Sequence, residues 1–144
     1  MTIAAILKHK GSEVFTVAPT VTITDLVAAL AEKKVGAVPV VDGAGQILGI
    51  VSERDVVRSL AHNGGRTLDM TAGQLMTRAM FTVRREASVV EAMEMMTRHR
   101  IRHLPVVEND HMVGIISIGD VVKARIMQQE QEVDSLRAYV AGAA

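Results

Sequence analysis

Apolar positions along the chain fall into two matched series. Phe15-Thr16-Val17 returns as Phe81-Thr82-Val83, and at the same offset Pro39-Val40-Val41 returns as Pro105-Val106-Val107. After the loss of one residue, Gly49-Ile50-Val51-Ser52 matches Gly114-Ile115-Ile116-Ser117, and Asp55-Val56-Val57 matches Asp120-Val121-Val122. An ordered set of this kind marks an internal duplication, with copies spanning roughly residues 10–60 and 76–126.

Each copy predicts the same elements. A short strand holds Phe-Thr-Val. A helix follows, in which Ile23, Leu26, Val27 and Leu30 keep helical spacing and Thr24 and Asp25 offer caps. In the second copy Ser88 offers the cap, and Val89, Ala92, Met93 and Met96 make the apolar face. Strands are expected at 36–41 and 102–107, where Pro39 and Pro105 suggest edge or bulge positions. Turns at Asp42-Gly43-Ala44-Gly45 and Glu108-Asn109-Asp110 lead into partner strands at 47–51 and 112–116. A second helix opens near Ser52 and near Ser117. The implied fold class is α+β, two tandem β-α-β-β-α repeats. A unit of about 50 residues buries little core alone, so the repeats are expected to pack sheet to sheet with approximate two-fold symmetry. The expected organisation is a first repeat with the N-terminal segment at 1–60, a linker at 61–75, a second repeat at 76–126 and a helical extension at 127–144. In that extension Ile126, Val133, Leu136 and Val140 line one face, and nothing in the first repeat corresponds to it. It packs either on its own repeat, on the other repeat or on another chain.

Composition narrows the function. Of 144 residues, 16 are basic and 16 acidic, and 49% are hydrophobic, a globular balance. Zero net charge argues against a general nucleic-acid binder, which displaces counterions with surplus Lys and Arg. With no Trp, one Tyr and two Phe, an aromatic platform for single strands has almost no residues to be built from. Nine Met fill irregular gaps in an aliphatic interior, and the group Met93, Met95 and Met96 reads as packing. The absence of Cys excludes disulfides, thiolate zinc sites and cysteine catalysis. No apolar run approaches the ~20 residues of a membrane span, and the segment Met1–Lys8 lacks a basic region ahead of its apolar stretch. Residence in the cytoplasm, away from membranes, is the expectation.

The chemistry concentrates in Ser52-Glu53-Arg54-Asp55 and Ser117-Ile118-Gly119-Asp120. A Ser at a helix N-cap lies beside free backbone N–H groups, where the helix dipole favours an anion. A carboxylate one turn on can accept two hydrogen bonds from a ribose diol. The same pattern is also an ordinary cap with a first-turn acid, but its repetition after a glycine-led strand favours a ligand role. His99 and His103 have metal-like spacing, yet the helix is expected to end near Arg100 and no acidic third ligand is close in sequence, so no metal is expected. His9, His62 and His111 are scattered. No Gly-rich phosphate loop and no nucleophile-elbow serine occur, so no catalytic residue is assigned and the chain is not expected to be an enzyme.

The segments Gly36–Asp42, Gly49–Asp55, Ile101–Val107 and Gly114–Val122 resemble the CBS domain. The whole chain resembles a stand-alone bacterial CBS pair, or Bateman module. The resemblance implies sensing of an adenine nucleotide, AMP or a relative such as NAD(H), by a non-catalytic homodimer that regulates a protein in trans. It also implies pockets between the repeats. One would combine Ser52, Arg54 and Asp55 with Thr82, Ile101, Arg102 and His103. The other would combine Ser117 and Asp120 with Thr16, Val35, Gly36 and Ala37. The first gathers Arg54 and Arg102, suited to bidentate phosphate contact, and is expected to hold AMP more strongly than the second. A solvated position or an ion pair with Glu53 or Glu94 is the other reading of these arginines. A constitutive dimeric scaffold without ligand sensing is the alternative function.

Overall fold

The computed structural model describes residues 1–78 and 80–143. The elements, in chain order, are α1 (Ile3–Lys10), α2 (Ile23–Lys33), β1 (Ala37–Val41), β2 (Ile47–Ser52), α3 (Glu53–Asn63), a 3-10 segment (Gly64–Asp69), α4 (Ala72–Leu75), α5 (Val89–His99), β3 (His103–Glu108), β4 (His111–Ser117) and α6 (Ile118–Ala143). β1 pairs with β2 and β3 with β4, giving two two-stranded sheets. The fold is therefore mixed helix and strand with two copies of one pattern, and a long C-terminal helix is present.

The helix ends show how the sequence sets them. Thr22 caps α2, its hydroxyl accepting from the Asp25 amide at 3.3 Å. The expected cap at Thr24 or Asp25 lies inside the helix instead, because Ile23 already has its backbone in helical conformation. Thr24 donates to the Leu68 carbonyl at 2.8 Å. Ser88 caps α5 as expected, in a capping box with Glu91. α2 and α5 both end on non-glycine residues in the left-handed conformation, Lys34 (φ 55°) and Arg100 (φ 54°). The next amides, Val35 and Ile101, then donate back to Leu30 and Met96 at 3.2 and 3.1 Å. A Cβ is strained there. Lys34→Gly should therefore raise stability by about 0.5–1 kcal/mol, net of the greater freedom of Gly in the unfolded chain. Thermal unfolding of the variant checks this, and a fall in Tm would contradict it.

The prolines decide how far the sheets extend. Val17 donates to the Pro39 carbonyl at 3.1 Å and accepts from Val41 at 2.9 Å; Val83 does the same with Pro105 and Val107 at 3.0 and 2.9 Å. The next rung would need an N–H from Pro39 or Pro105, which proline lacks. The expected Phe-Thr-Val strands are therefore single parallel bridges, Val17 to Val40 and Val83 to Val106. A bulge falls between Val40 and Val41. The first turn is closed by Asp42 Oδ1, which accepts from the Ala44 and Gln46 amides at 2.9 and 3.0 Å. The second is closed by Asn109 and Asp110, both at positive φ.

The chain divides into two compact units, Glu13–Phe81 with Asn109–Met112, and Met1–Ser12 with Thr82–Glu108 and Val113–Ala144. In the unit holding the first repeat, Ile23, Leu26, Val38, Val40, Val51 and Ala72 form the buried centre. In the unit holding the second, Ile3, Val89, Leu104, Val106, Ile116 and Val121 do so. Two expected boundaries are thereby corrected. Residues 1–12 join the second repeat, not the first. Ile3, Ile6 and Leu7 bury an apolar stripe in its core, and the Ile3 and Ala4 amides donate to the Ala87 and Arg85 carbonyls, both at 2.9 Å. The stretch at 61–75 is no loose linker. Thr67 is fully buried and its hydroxyl lies 2.8 Å from that of Ser59, while the Ile23 amide donates to Met70 and the Ala72 amide to Val21. The 3-10 segment that Gly64 and Gly65 open lies against α2 and α3.

Candidate functional site

In each repeat the second strand of the hairpin runs directly into a helix, and the Ser-x-x-Asp motif forms that junction. Ser52 caps α3. Its amide donates to Asp55 Oδ2 at 2.8 Å, its hydroxyl donates to the same oxygen at 3.0 Å, and the Asp55 amide approaches Ser52 Oγ at 3.4 Å. Ser117 and Asp120 repeat the box, with 2.8 Å from the Ser117 amide to Asp120 Oδ2 and 3.2 Å from the Asp120 amide to Ser117 Oγ. The first helical amide of each motif reaches back to the segment before the opposite strand. Glu53 donates to the Gly36 carbonyl at 2.9 Å, and Ile118 to the Arg102 carbonyl at 2.8 Å.

Within one unit the structure therefore brings Ser52, Arg54 and Asp55 beside Val35, Gly36 and Ala37. Ala37 and Ser52 are register partners. In the other unit it brings Ser117 and Asp120 beside Ile101, Arg102 and His103. Asp55, Gly36, Ser52, Ser117, Asp120, Ile101, His103 and Thr16 are half-buried, Ala37 is buried, and Arg54, Arg102, Val35 and Thr82 are exposed. The half-buried carboxylates thus carry ordered hydrogen bonds and Arg54 and Arg102 are exposed residues, chemistry that suits a polyanionic ligand with a diol.

Two participants were not expected. Thr77 Oγ1 donates to Asp55 Oδ1 at 3.3 Å, and the Thr77 amide and carbonyl bond the Ile50 carbonyl and amide at 2.9 and 3.1 Å. No periodicity points to this residue. In the other unit Lys10 Nζ lies 2.7 Å from Asp120 Oδ2 and donates to the Ile115 carbonyl at 2.9 Å. A signal for Lys10 does exist: it continues the stripe Ile3, Ile6, Leu7 at helical spacing. Asp120 thus has a cation, Lys10, against its Oδ2.

Burial works against the charge on Asp120. The Lys10 hydrogen bond, the Ser117 amide, the Lys10 charge and the Ser117 hydroxyl outweigh it, and together hold the carboxyl below its ordinary value. A depressed folded-state pKa adds stability above the unfolded value and loses it as pH falls toward the folded value. The ion pair is partly exposed, with Lys10 at 36% and Asp120 at 24% side-chain accessibility. Lys10→Met should therefore cost only about 0.5–1 kcal/mol near neutral pH. Urea unfolding of the variant and the parent should converge as Asp120 protonates in the acid range. A gap as large at about pH 2 as at about pH 7 would contradict the assignment.

Among the described residues no group of three or more His, Asp or Glu side chains is placed to hold a metal ion. No helix among them is long and apolar enough to cross a membrane.

Comparison with known proteins follows the same division of the chain. The family model for the CBS domain matches residues 9–62 and 72–127. The mitochondrial CBS domain-containing protein CBSX3 of Arabidopsis thaliana is 38% identical over 125 residues, covering 84% of this chain and 61% of that protein. The chain thus spans under two thirds of that relative's length. The crystal structure of a CBS-domain-containing protein from Agrobacterium tumefaciens superposes with a TM-score of 0.84 at 42% identity, over 86% of this chain and 92% of that one. The structure of CBSX2 in complex with AMP superposes with a TM-score of 0.72 at 27% identity, over 89% and 98% of the two chains.

Proposed function

Since the chain belongs to the CBS-domain family and carries two copies of that domain, we propose that it is a regulatory module that binds an adenine nucleotide, AMP in the first instance. The paired Ser-x-x-Asp caps carry the proposal. Each sets a half-buried carboxylate and a serine hydroxyl at a helix N-terminus, and each lies beside the segment that opens its own hairpin. The carboxylate would accept from the ribose hydroxyls, and the helix N-terminus and arginines would receive the phosphate. The AMP complex of CBSX2 supports this choice of ligand.

The module works without turnover of its own. It acts in the cytoplasm as a homodimer and signals to a protein in trans. One pocket draws Ser52, Arg54 and Asp55 together with Val35, Gly36 and Ala37, all within the first repeat. The other draws Ser117 and Asp120 together with Ile101, Arg102 and His103, all within the second repeat. Lys10 supplies the second pocket with the cation that Gly119 does not, so a second phosphate-bearing ligand, or the far half of NAD(H), is accommodated there. Ligand shifts the module's conformation only by its differential affinity for the two states.

The carboxylate role has its own test. Titration of the full chain with AMP and with 2′-deoxy-AMP should show at least tenfold weaker binding of the deoxynucleotide, since one charge-assisted hydrogen bond contributes about 1.5–3 kcal/mol. Equal affinity would remove the ribose–carboxylate contact from the account.

A further inference from the structure

The last two-thirds of α6 leaves its apolar face largely exposed. Ile126, Val133, Leu136 and Val140 are 50%, 47%, 63% and 61% exposed, and Val122 is 41% exposed. These residues fall on one heptad register. Ile126, Val133 and Val140 occupy the a positions; Val122, Gln129 and Leu136 occupy d. The other flank of the helix has different company, for Gln128, Gln131, Glu132 and Ser135 line a hollow with Met1. The a and d seam therefore lies on a different side of the helix from Met1.

The flanking charges say what covers it. The g positions hold Arg125 and Glu132, and the e positions hold Glu130 and Arg137. In a parallel, in-register pair each g residue faces the e residue of the following heptad on the other helix. Arg125 then meets Glu130 and Glu132 meets Arg137, both opposite in sign, and each pair occurs twice by symmetry. β-branched residues at every a position, with Leu136 at d, favour two parallel strands. The same register sets Gln129 opposite its own copy, where the two amides can bond each other. An antiparallel pair would set that amide against an a-position Ile or Val and leave it unsatisfied.

We propose that α6 beyond Val122 forms a short parallel two-stranded coiled coil with a second copy of this chain. It is an interaction surface separate from the nucleotide pockets and does not depend on them. It adds to the proposed dimer a defined seam with a defined direction.

Because the chain has no Cys, single-cysteine variants of the full protein report the seam without background. Leu136→Cys should oxidise to a disulfide-linked dimer at least tenfold faster than Ser135→Cys, which lies on the Met1 flank. Within Leu136→Cys, adding Glu132→Arg should slow cross-linking several-fold, and further adding Arg137→Glu should restore it. All these positions are exposed, so folding is not at stake. Equal rates for Leu136→Cys and Ser135→Cys would overturn the proposal. If sedimentation still showed a dimer in that case, the seam alone would fall and the dimer of the nucleotide reading would stand.

Discussion

Saturation with AMP should raise the melting temperature of ligand-free protein by roughly 5–15 °C. At a ligand concentration of 100 times Kd, one site that exists only in the folded state adds about 2.7 kcal/mol. The increment should shrink in Arg102→Ala. Arg102 is exposed, so that variant should melt at the parent temperature without ligand. Asp55→Ala should also shrink the increment, from a lower baseline. It removes one side of the α3 capping box, costing about 0.5–1 kcal/mol, so its response is read against its own unliganded melt. A full AMP response in both variants would take the Ser-x-x-Asp pockets out of the account.

The second large effect is structural, and it should differ between the repeats. Gly49 and Gly114 are matched positions, and both lie where a Cβ would collide. At Gly49 the nearest atoms are the Thr77 carbonyl oxygen at 2.7 Å and Met76 Sδ at 2.9 Å. Backbone cannot step aside, and this backbone is the segment that pairs with Ile50 and brings Thr77 to Asp55. Gly49→Val should cost about 1–3 kcal/mol as overpacking and should weaken AMP binding with it. At Gly114 the nearest atoms are the ends of the Leu7 side chain, at 2.7 and 3.0 Å. A leucine terminus can rotate, so Gly114→Ala should be the milder change and should act chiefly on α1. Thermal unfolding of both variants decides the order. A larger loss from Gly114→Ala than from Gly49→Val would contradict this view of the two contacts.

Most of the architecture was legible because the duplication doubles every weak signal. Ser88, Ser52 and Ser117 announce helix starts, and Asp42 and Asn109 announce turns, through chemistry confined to a few neighbouring residues. What escaped was set by distant partners. Whether Thr22 or Thr24 caps α2 depends on where Ile23 enters the helix, which buries it in the first core. The Phe-Thr-Val segments read as strands by propensity, but the ladder stops at prolines lying far along the chain. Residues 1–12 lie beside the first repeat in sequence and fold with the second, because Ile3, Ile6 and Leu7 find their apolar partners there. The site shows the same limit. The Ser-x-x-Asp boxes are local and were readable; Thr77 reaches Asp55 across a pairing of single residues, and Lys10 reaches Asp120 across most of the chain.

The central claim is that an adenine nucleotide binds this chain. Calorimetric titration of AMP into protein unfolded, freed of co-purified ligand and refolded tests it most directly. The account predicts a saturable isotherm that Arg102→Ala or Asp55→Ala weakens at least tenfold. An absence of binding heat at several temperatures for AMP, and equally for ADP, ATP, NAD⁺ and NADH, would contradict it and leave the paired domains as a scaffold.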